Sequence, residues 1–156
     1  MDVSREDFLK VYENLHEQIF NENCYSCDFV DSNWIKFSVG FSLDGLVDVF
    51  PFVNLLVSSF CDSEIIITDI ETIPSHQFTK IVGLNSSQFR NASCSLLGHF
   101  QSHLFGQSGK WGIICTLEEE SYLGFEGRVD SKNYLIEQAL KWGFQLISTD
   151  DADVAN

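Results

Sequence analysis

Trp111-Gly112-Ile113-Ile114-Cys115-Thr116-Leu117, then Glu118-Glu119-Glu120, then Ser121-Tyr122-Leu123-Gly124-Phe125 carries the clearest strand pattern in the chain. Two apolar runs rich in β-branched and aromatic residues flank a short charged break, which is the pattern of a β-hairpin. Just upstream, Gly106-Gln107-Ser108-Gly109-Lys110 has a superficial likeness to a phosphate loop. The glycine spacing fails and the segment leads into a strand instead of a helix, so it reads as a hairpin connection. Residues 96–105 carry helical spacing at Leu96, Phe100 and Leu104, with strand pairing as the alternative. Downstream, Ser131 caps a closing helix with Tyr134, Leu135, Gln138, Ala139 and Trp142 on its inner side, and Gly143 stops it.

Towards the N-terminus, Ser4-Arg5-Glu6-Asp7 resembles a capping box. Phe8, Val11, Tyr12, Leu15, Ile19 and Phe20 then recur at helical spacing, predicting a first helix that ends near Asn21-Glu22-Asn23. In residues 34–41 the set Ile35, Phe37, Val39 and Phe41 alternates with Trp34, Lys36, Ser38 and Gly40, the sign of a half-buried strand. Residues 25–30 are candidates to pair with it. Leu43-Asp44-Gly45 is a turn signal. Residues 46–61 read equally as a strand before Pro51 or as a helix with Pro51 in its first turn, burying Val53, Leu56, Val57 and Phe60. Residues 64–71 form a β-branched strand, 74–82 a short helix stopped by Gly83, and 85–95 a polar loop. The order helix, strands, short helices, hairpin, helix predicts an α+β fold. It has an N-terminal helix, a central mostly antiparallel sheet with a late β-hairpin, and a C-terminal helix packed on the sheet. Residues 1–148 are expected to form one domain and 149–156 a frayed acidic tail.

The composition fits folding. Of 156 residues, 44% are hydrophobic and 21% charged, and Phe is conspicuous at 14. A chain of this length buries about 68–70% of its unfolded surface, enough for a core without staples. The sign balance is unusual: 9 Lys+Arg stand against 23 Asp+Glu, a net charge of −14. Scattered cations cannot build the basic stripe that nucleic-acid phosphate requires, and an anionic membrane surface would repel the chain. No apolar run approaches the ~20 residues of a membrane span, and the acidic N-terminus lacks signal-peptide regions, so a cytoplasmic location is expected. An odd count of 5 cysteines then argues for free thiols.

Candidate chemistry is thin. Cys24-x-x-Cys27 would need two further zinc ligands, and His99 with His103 has suitable helical spacing. The intervening stretch has no zinc-finger framing, so buried or incidental thiols are favoured and no metal or cofactor is expected. His16 lies beside the first helix's stripe and reads as structural or solvent-facing. Cys94 with His99 or His103 could form a nucleophilic pair, but no nucleophile elbow or oxyanion turn accompanies it, so no catalytic residue is assigned. A small Cys/His enzyme or ligand-binding module stays as a further alternative.

The carboxylates carry more. They fall at Asp28 and Asp31, at Asp62, Glu64, Asp69 and Glu71, at Glu118, Glu119 and Glu120, and at Asp150, Asp151 and Asp153. Any one cluster could be a solvated loop, but solubility needs a net charge of only about 2–8. The surplus is explained by a basic protein partner, since acidic surfaces steer such association. Trp34, Trp111, Tyr122 and Phe125 are candidate anchors beside the Glu118 hairpin, with core packing the better reading for Trp111 and Phe125.

With Ser108-Gly109-Lys110-Trp111-Gly112-Ile113-Ile114-Cys115, then Tyr122-Leu123-Gly124-Phe125 and a closing helix, the chain resembles cytosolic immunity proteins of bacterial polymorphic-toxin and contact-dependent growth inhibition systems. The resemblance covers about the last third of the chain and transfers no site residue. It implies a non-enzymatic, stoichiometric inhibitor that binds a basic toxin domain, a nuclease in the leading version, and places carboxylates where phosphates would bind. The expected partner-binding residues are Glu118, Glu119, Glu120, Tyr122, Asp69, Glu71, Asp62 and Glu64. A nucleic-acid-mimic regulator or anti-defence protein would use the same acidity and is the alternative.

Overall fold

The computed structural model describes residues 5–20, 29–30, 33–39, 50–69, 78–82, 101–116 and 121–148. They form α1 (Arg5–Ile19), β1 (Ile35–Val39), α2 (Phe50–Phe60), β2 (Glu64–Asp69), β3 (Phe78–Val82), β4 (Gln101–Gly106), β5 (Trp111–Thr116), β6 (Ser121–Phe125), α3 (Lys132–Lys141) and β7 (Gln145–Ser148). The fold is α+β. One seven-stranded sheet runs in the order β3-β2-β4-β5-β6-β1-β7, every neighbouring pair antiparallel. Strands β4, β5 and β6 form a meander, with β1 inserted between β6 and β7.

Period-two alternation sorts the side chains of this sheet onto two covered faces. On one, Ile65, Ile67, Leu104, Ile113, Leu123 and Phe37 meet Phe52, Val53, Leu56 and Val57 of α2 and Leu135 and Ala139 of α3. On the other, Ile66, Phe105 and Ile114 meet Tyr12 and Ile19 of α1, with Phe20, Phe29 and Trp34. The strand read as half-buried is therefore covered on both sides, and Trp34 is a core residue at 5% exposure.

Glycines make room for α1. Gly112 and Gly124 are cross-strand partners on the α1 face. A Cβ on Gly112 would stand 2.8 Å from Phe20 Cζ and 2.9 Å from Ile19 Cγ2, and one on Gly124 would stand 2.8 Å from Phe29 Cε2. The two residues create a trough that takes the Phe20 and Phe29 rings, whose centroids lie 5.8 Å apart. Residues 25–30, expected to pair with β1, contribute instead an isolated bridge from Phe29 to Phe20. Residues 25–28 of that expectation lie outside the described residues.

Both helices on the other face end alike. After α2, the Asp62 N–H donates to Val57 C=O (2.9 Å) and the Cys61 N–H to Ser58 C=O (3.4 Å). After α3, the Phe144 N–H donates to Ala139 C=O and the Gly143 N–H to Leu140 C=O, both at 3.0 Å. These are Schellman closures, with the reversing residue left-handed: Cys61 at φ 56° and Gly143 at φ 86°. Each closure turns the next side chain inward, Asp62 at one helix end and Phe144 at the other.

Several local expectations change. Residues 78–82 form strand β3 where a helix was expected, because Thr79 and Ile81 extend the ladder against Ile67 and Ile65 of β2. Of the two readings open for 96–105, the strand holds over 101–105, within β4 between β2 and β5, and 96–100 lie outside the described residues. Residues 46–61 resolve as a helix from Phe50, with Pro51 in its first turn. Val11, expected on the inner stripe of α1, is exposed, while His16 takes an inner place. On α3, Leu135 and Ala139 are buried, whereas Tyr134 is exposed and Ser131 makes no side-chain cap bond. The proposed cap at Ser4, the turn at Asp44, the loop 85–95 and the tail 149–156 lie outside the described residues.

Candidate functional site: an acidic pole

Three polar contacts are internal. Asp62 is 8% exposed. Its Oδ1 accepts the Ser108 N–H (2.6 Å), and its Oδ2 accepts the Ser108 hydroxyl (3.0 Å) and the Trp111 indole N–H (2.7 Å). Gly106 leaves the space, since a Cβ there would collide with the Asp62 carboxylate and the Trp111 nitrogen. Burial raises the Asp62 carboxyl above its ordinary value, opposed by the bonds from Trp111 and Ser108 and by the nearby Lys110 charge. Beneath α1, the Tyr12 hydroxyl donates to Glu64 Oε2 (3.1 Å). Burial, then this carboxylate neighbour, pushes the Tyr12 hydroxyl well above its usual range. Four residues along α1, His16 Nε2 lies 2.7 Å from His103 Nδ1, and the Phe20 ring stacks on His103 at 4.1 Å. These groups pin α1, α2 and the β4–β5 hairpin to the sheet. Among the described residues, no three His, Cys, Asp or Glu side chains come together as a metal site would require.

The strand registers divide the expected partner-binding residues between two ends of the sheet. Asp69 pairs with Ser102, Gln101 with Thr116, and Val39 with Ser121. The ends of β1, β2 and β5 and the starts of β4 and β6 therefore share one end. The connection 117–120, holding Glu118, Glu119 and Glu120, joins β5 to β6 there, and 70–77, holding Glu71, joins β2 to β3 there. Tyr122 is the second residue of β6, half-buried beside the α1-face core. Glu64 sits at the other end of β2, bonded to Tyr12. Asp62 stands at that far end too, facing inward, which corrects its placement among surface carboxylates. Glu71, Glu118, Glu119 and Glu120 lie outside the described residues, and the side chain of Asp69 is likewise not described.

A third connection starts and finishes at the same end. Segment 40–49 leaves β1 after Val39 and enters α2. Helix α2 lies along the sheet with Phe52 against Phe144, just before β7 begins, and with Phe60 towards Phe125 at the far end. Val39 and Phe50, which 40–49 connects, thus both sit at the end where β6 starts; Asp44 and Asp48 belong to that connection and lie outside the described residues. The sequence signal was the turn at Leu43-Asp44-Gly45, but its place depends on β1 pairing with β6. Connections 40–49, 70–77 and 117–120, with Asp69, hold seven carboxylates and no Lys or Arg. The strand ends they join, from β2 to β1, span four inter-strand steps, about 20 Å. Arg90 belongs to 83–100, which links this end to the other.

Charge is segregated across the whole chain. The helices and strands named above hold 7 Asp/Glu and 6 Lys/Arg, close to balance. The rest of the chain holds 16 Asp/Glu and 3 Lys/Arg. Comparison of the chain with protein-family models, with curated proteins and with solved structures finds no match.

Proposed function

We propose that this chain is a non-enzymatic, immunity-type inhibitor that captures a basic toxin domain, a nuclease in the leading case, through its acidic pole. The observation that carries this reading is the charge segregation: a near-neutral sheet and helix framework with its carboxylates displaced into the connections. A charge excess kept only for solubility has no reason to spare the helices and strands and fall in the connections. An acidic pole about 20 Å wide raises the encounter rate with a cationic nucleic-acid site and offers carboxylates in place of phosphates.

The partner to assay is a basic toxin domain encoded beside this gene. Reversing Glu118, Glu119 and Glu120 to Lys should slow association at least tenfold at 50 mM salt, with a smaller effect on dissociation. Reversing Asp150, Asp151 and Asp153, which follow β7 from the opposite end, should change the rate far less. Absence of a complex at low salt, or equal effects from the two triple variants, would count against the acidic pole.

A further inference from the structure

The underside of α1 is held to the sheet by polar bonds. From Lys10 to Ile19, its buried side chains are Tyr12, His16 and Ile19. Two of these three reach the sheet through a hydrogen bond, Tyr12 to Glu64 of β2 and His16 to His103 of β4. The two imidazoles face each other with His16 Nε2 2.7 Å from His103 Nδ1 and their ring centroids 4.9 Å apart. Such a contact holds one hydrogen, because one nitrogen donates and the other accepts.

The pair therefore counts protons. One added proton sits on the outward ring nitrogen that lacks a hydrogen, and the bridge survives as imidazolium donating to imidazole. The Phe20 ring, stacked on His103 at 4.1 Å, suits that charge. A second added proton puts a hydrogen on both facing nitrogens. Two N–H groups then point at each other across the gap, and two cations stand side by side in a cluster that includes Ile66, Phe105 and Ile114. Among the described residues, the chargeable neighbours on α1 are Tyr12, one turn back, and Glu13 and Glu17, both exposed. From the sheet they are Glu64 of β2, bonded to Tyr12, and Tyr122 of β6, partly buried. On β2 and β5 the residues paired with His103 are Thr68 and Ile114, neither of which titrates.

We propose that the His16–His103 bridge is a proton-operated latch, which seats α1 on the sheet at neutral pH and releases it when both rings are charged. The released rings take one proton each and the seated pair takes only one, so proton uptake drives release as pH falls. Histidine ordinarily changes charge near pH 6.5, which sets the range to examine. The opposite face of the sheet does not depend on α1, since its core is built with α2 and α3. Release uncovers Ile66, Phe105 and Ile114 while that core stays whole. The latch is independent of the partner reading.

The test is amide exchange of the full chain at pH 7.5 and 5.0, corrected for the intrinsic pH dependence of exchange. Residues 5–19 should lose protection at least tenfold at pH 5.0 while α2 and α3 keep theirs. His103→Gln supplies an amide that donates to neutral His16 or accepts from its imidazolium, so α1 should stay protected in this variant at both values. In the unsubstituted chain, histidine ring resonances should show the second ring charging at the pH where α1 opens, a reading that holds even where the variant fails to fold. Unchanged α1 protection overturns the latch, as does loss of α2 and α3 protection together with α1. Equal release in His103→Gln, or ring charging at a pH apart from opening, overturns it as well. Glu64→Gln should leave the release in place, and its disappearance there would assign the effect to the Tyr12 bond and overturn the latch.

Discussion

At the scale of single residues, Asp62 and Cys61 show how a helix end is turned into an anchor. Trp111 and Ser108 reach Asp62 across 49 and 46 residues of sequence. Such partners are invisible in a local reading, which saw only an acidic run beside Glu64. A double-mutant cycle of Asp62→Ala with Trp111→Phe should return a coupling of about 1.5–3 kcal/mol, the range of a hydrogen bond to a charged group. The pH dependence has a definite sign. With its folded-state carboxyl raised above 3.8, Asp62 contributes most below that pH and loses stability as pH rises through the raised value. The stability of the protein relative to its Asp62→Asn variant should therefore fall from about pH 4 upward and then level. A rise over that range would mean that the three donors outweigh burial. Cys61 holds a left-handed conformation that costs a side-chain residue about 1–2 kcal/mol. Cys61→Gly removes that cost but gives the unfolded chain about 0.4–1 kcal/mol of extra freedom. A net gain near 0.5 kcal/mol is expected, seen as a rise of one or two degrees in thermal midpoint, and a fall would show that the thiol itself contributes.

At the scale of elements, the hairpin at 111–125 and the helix ending at Gly143 were legible because their signals are local: alternation, a charged break, a stop glycine. Strand β3 was misread because Pro74 announced a helix start, while the pairing that decides the matter comes from Ile65 and Ile67 on another strand. Strand β7 was missed because four residues after a stop glycine carry too little pattern. The role of Gly112 and Gly124 was also hidden, since each glycine alone reads as a weak point in a strand. Only their register makes them a trough for the first helix's exit. Gly112→Ala should cost about 1–3 kcal/mol through overpacking against Phe20 and Ile19, despite the better strand propensity of alanine. Urea denaturation would read this directly. A neutral result would show that Phe20 can shift in its trough.

At the scale of the whole molecule, net charge was legible from composition but its distribution was not. The total of −14 is the same wherever the carboxylates lie. Strand order and register are what bring the strand ends joined by 70–77 and 117–120 to one side of the sheet and send Asp62 inside. Crowding like charge at one pole destabilises the compact state and is relieved by screening. The thermal midpoint should rise by a few degrees between 10 and 300 mM sodium chloride. The Glu118, Glu119 and Glu120 reversal to Lys should flatten that rise, and an unchanged salt slope would place the repulsion elsewhere.

Strand β1 pairs with β6 through Phe37 and Leu123, residues far apart in the chain. During synthesis at about 5–20 residues per second, the strand that completes β1 appears several seconds after it. Helix α1 waits as well, because His16 meets His103 across 87 residues. The N-terminal third of this protein therefore leaves the ribosome first and finds its seat late. Its Phe-rich segments stay unsatisfied until the meander of β4, β5 and β6 is made, and that interval is when a chaperone, or a neighbouring nascent chain, has its opportunity.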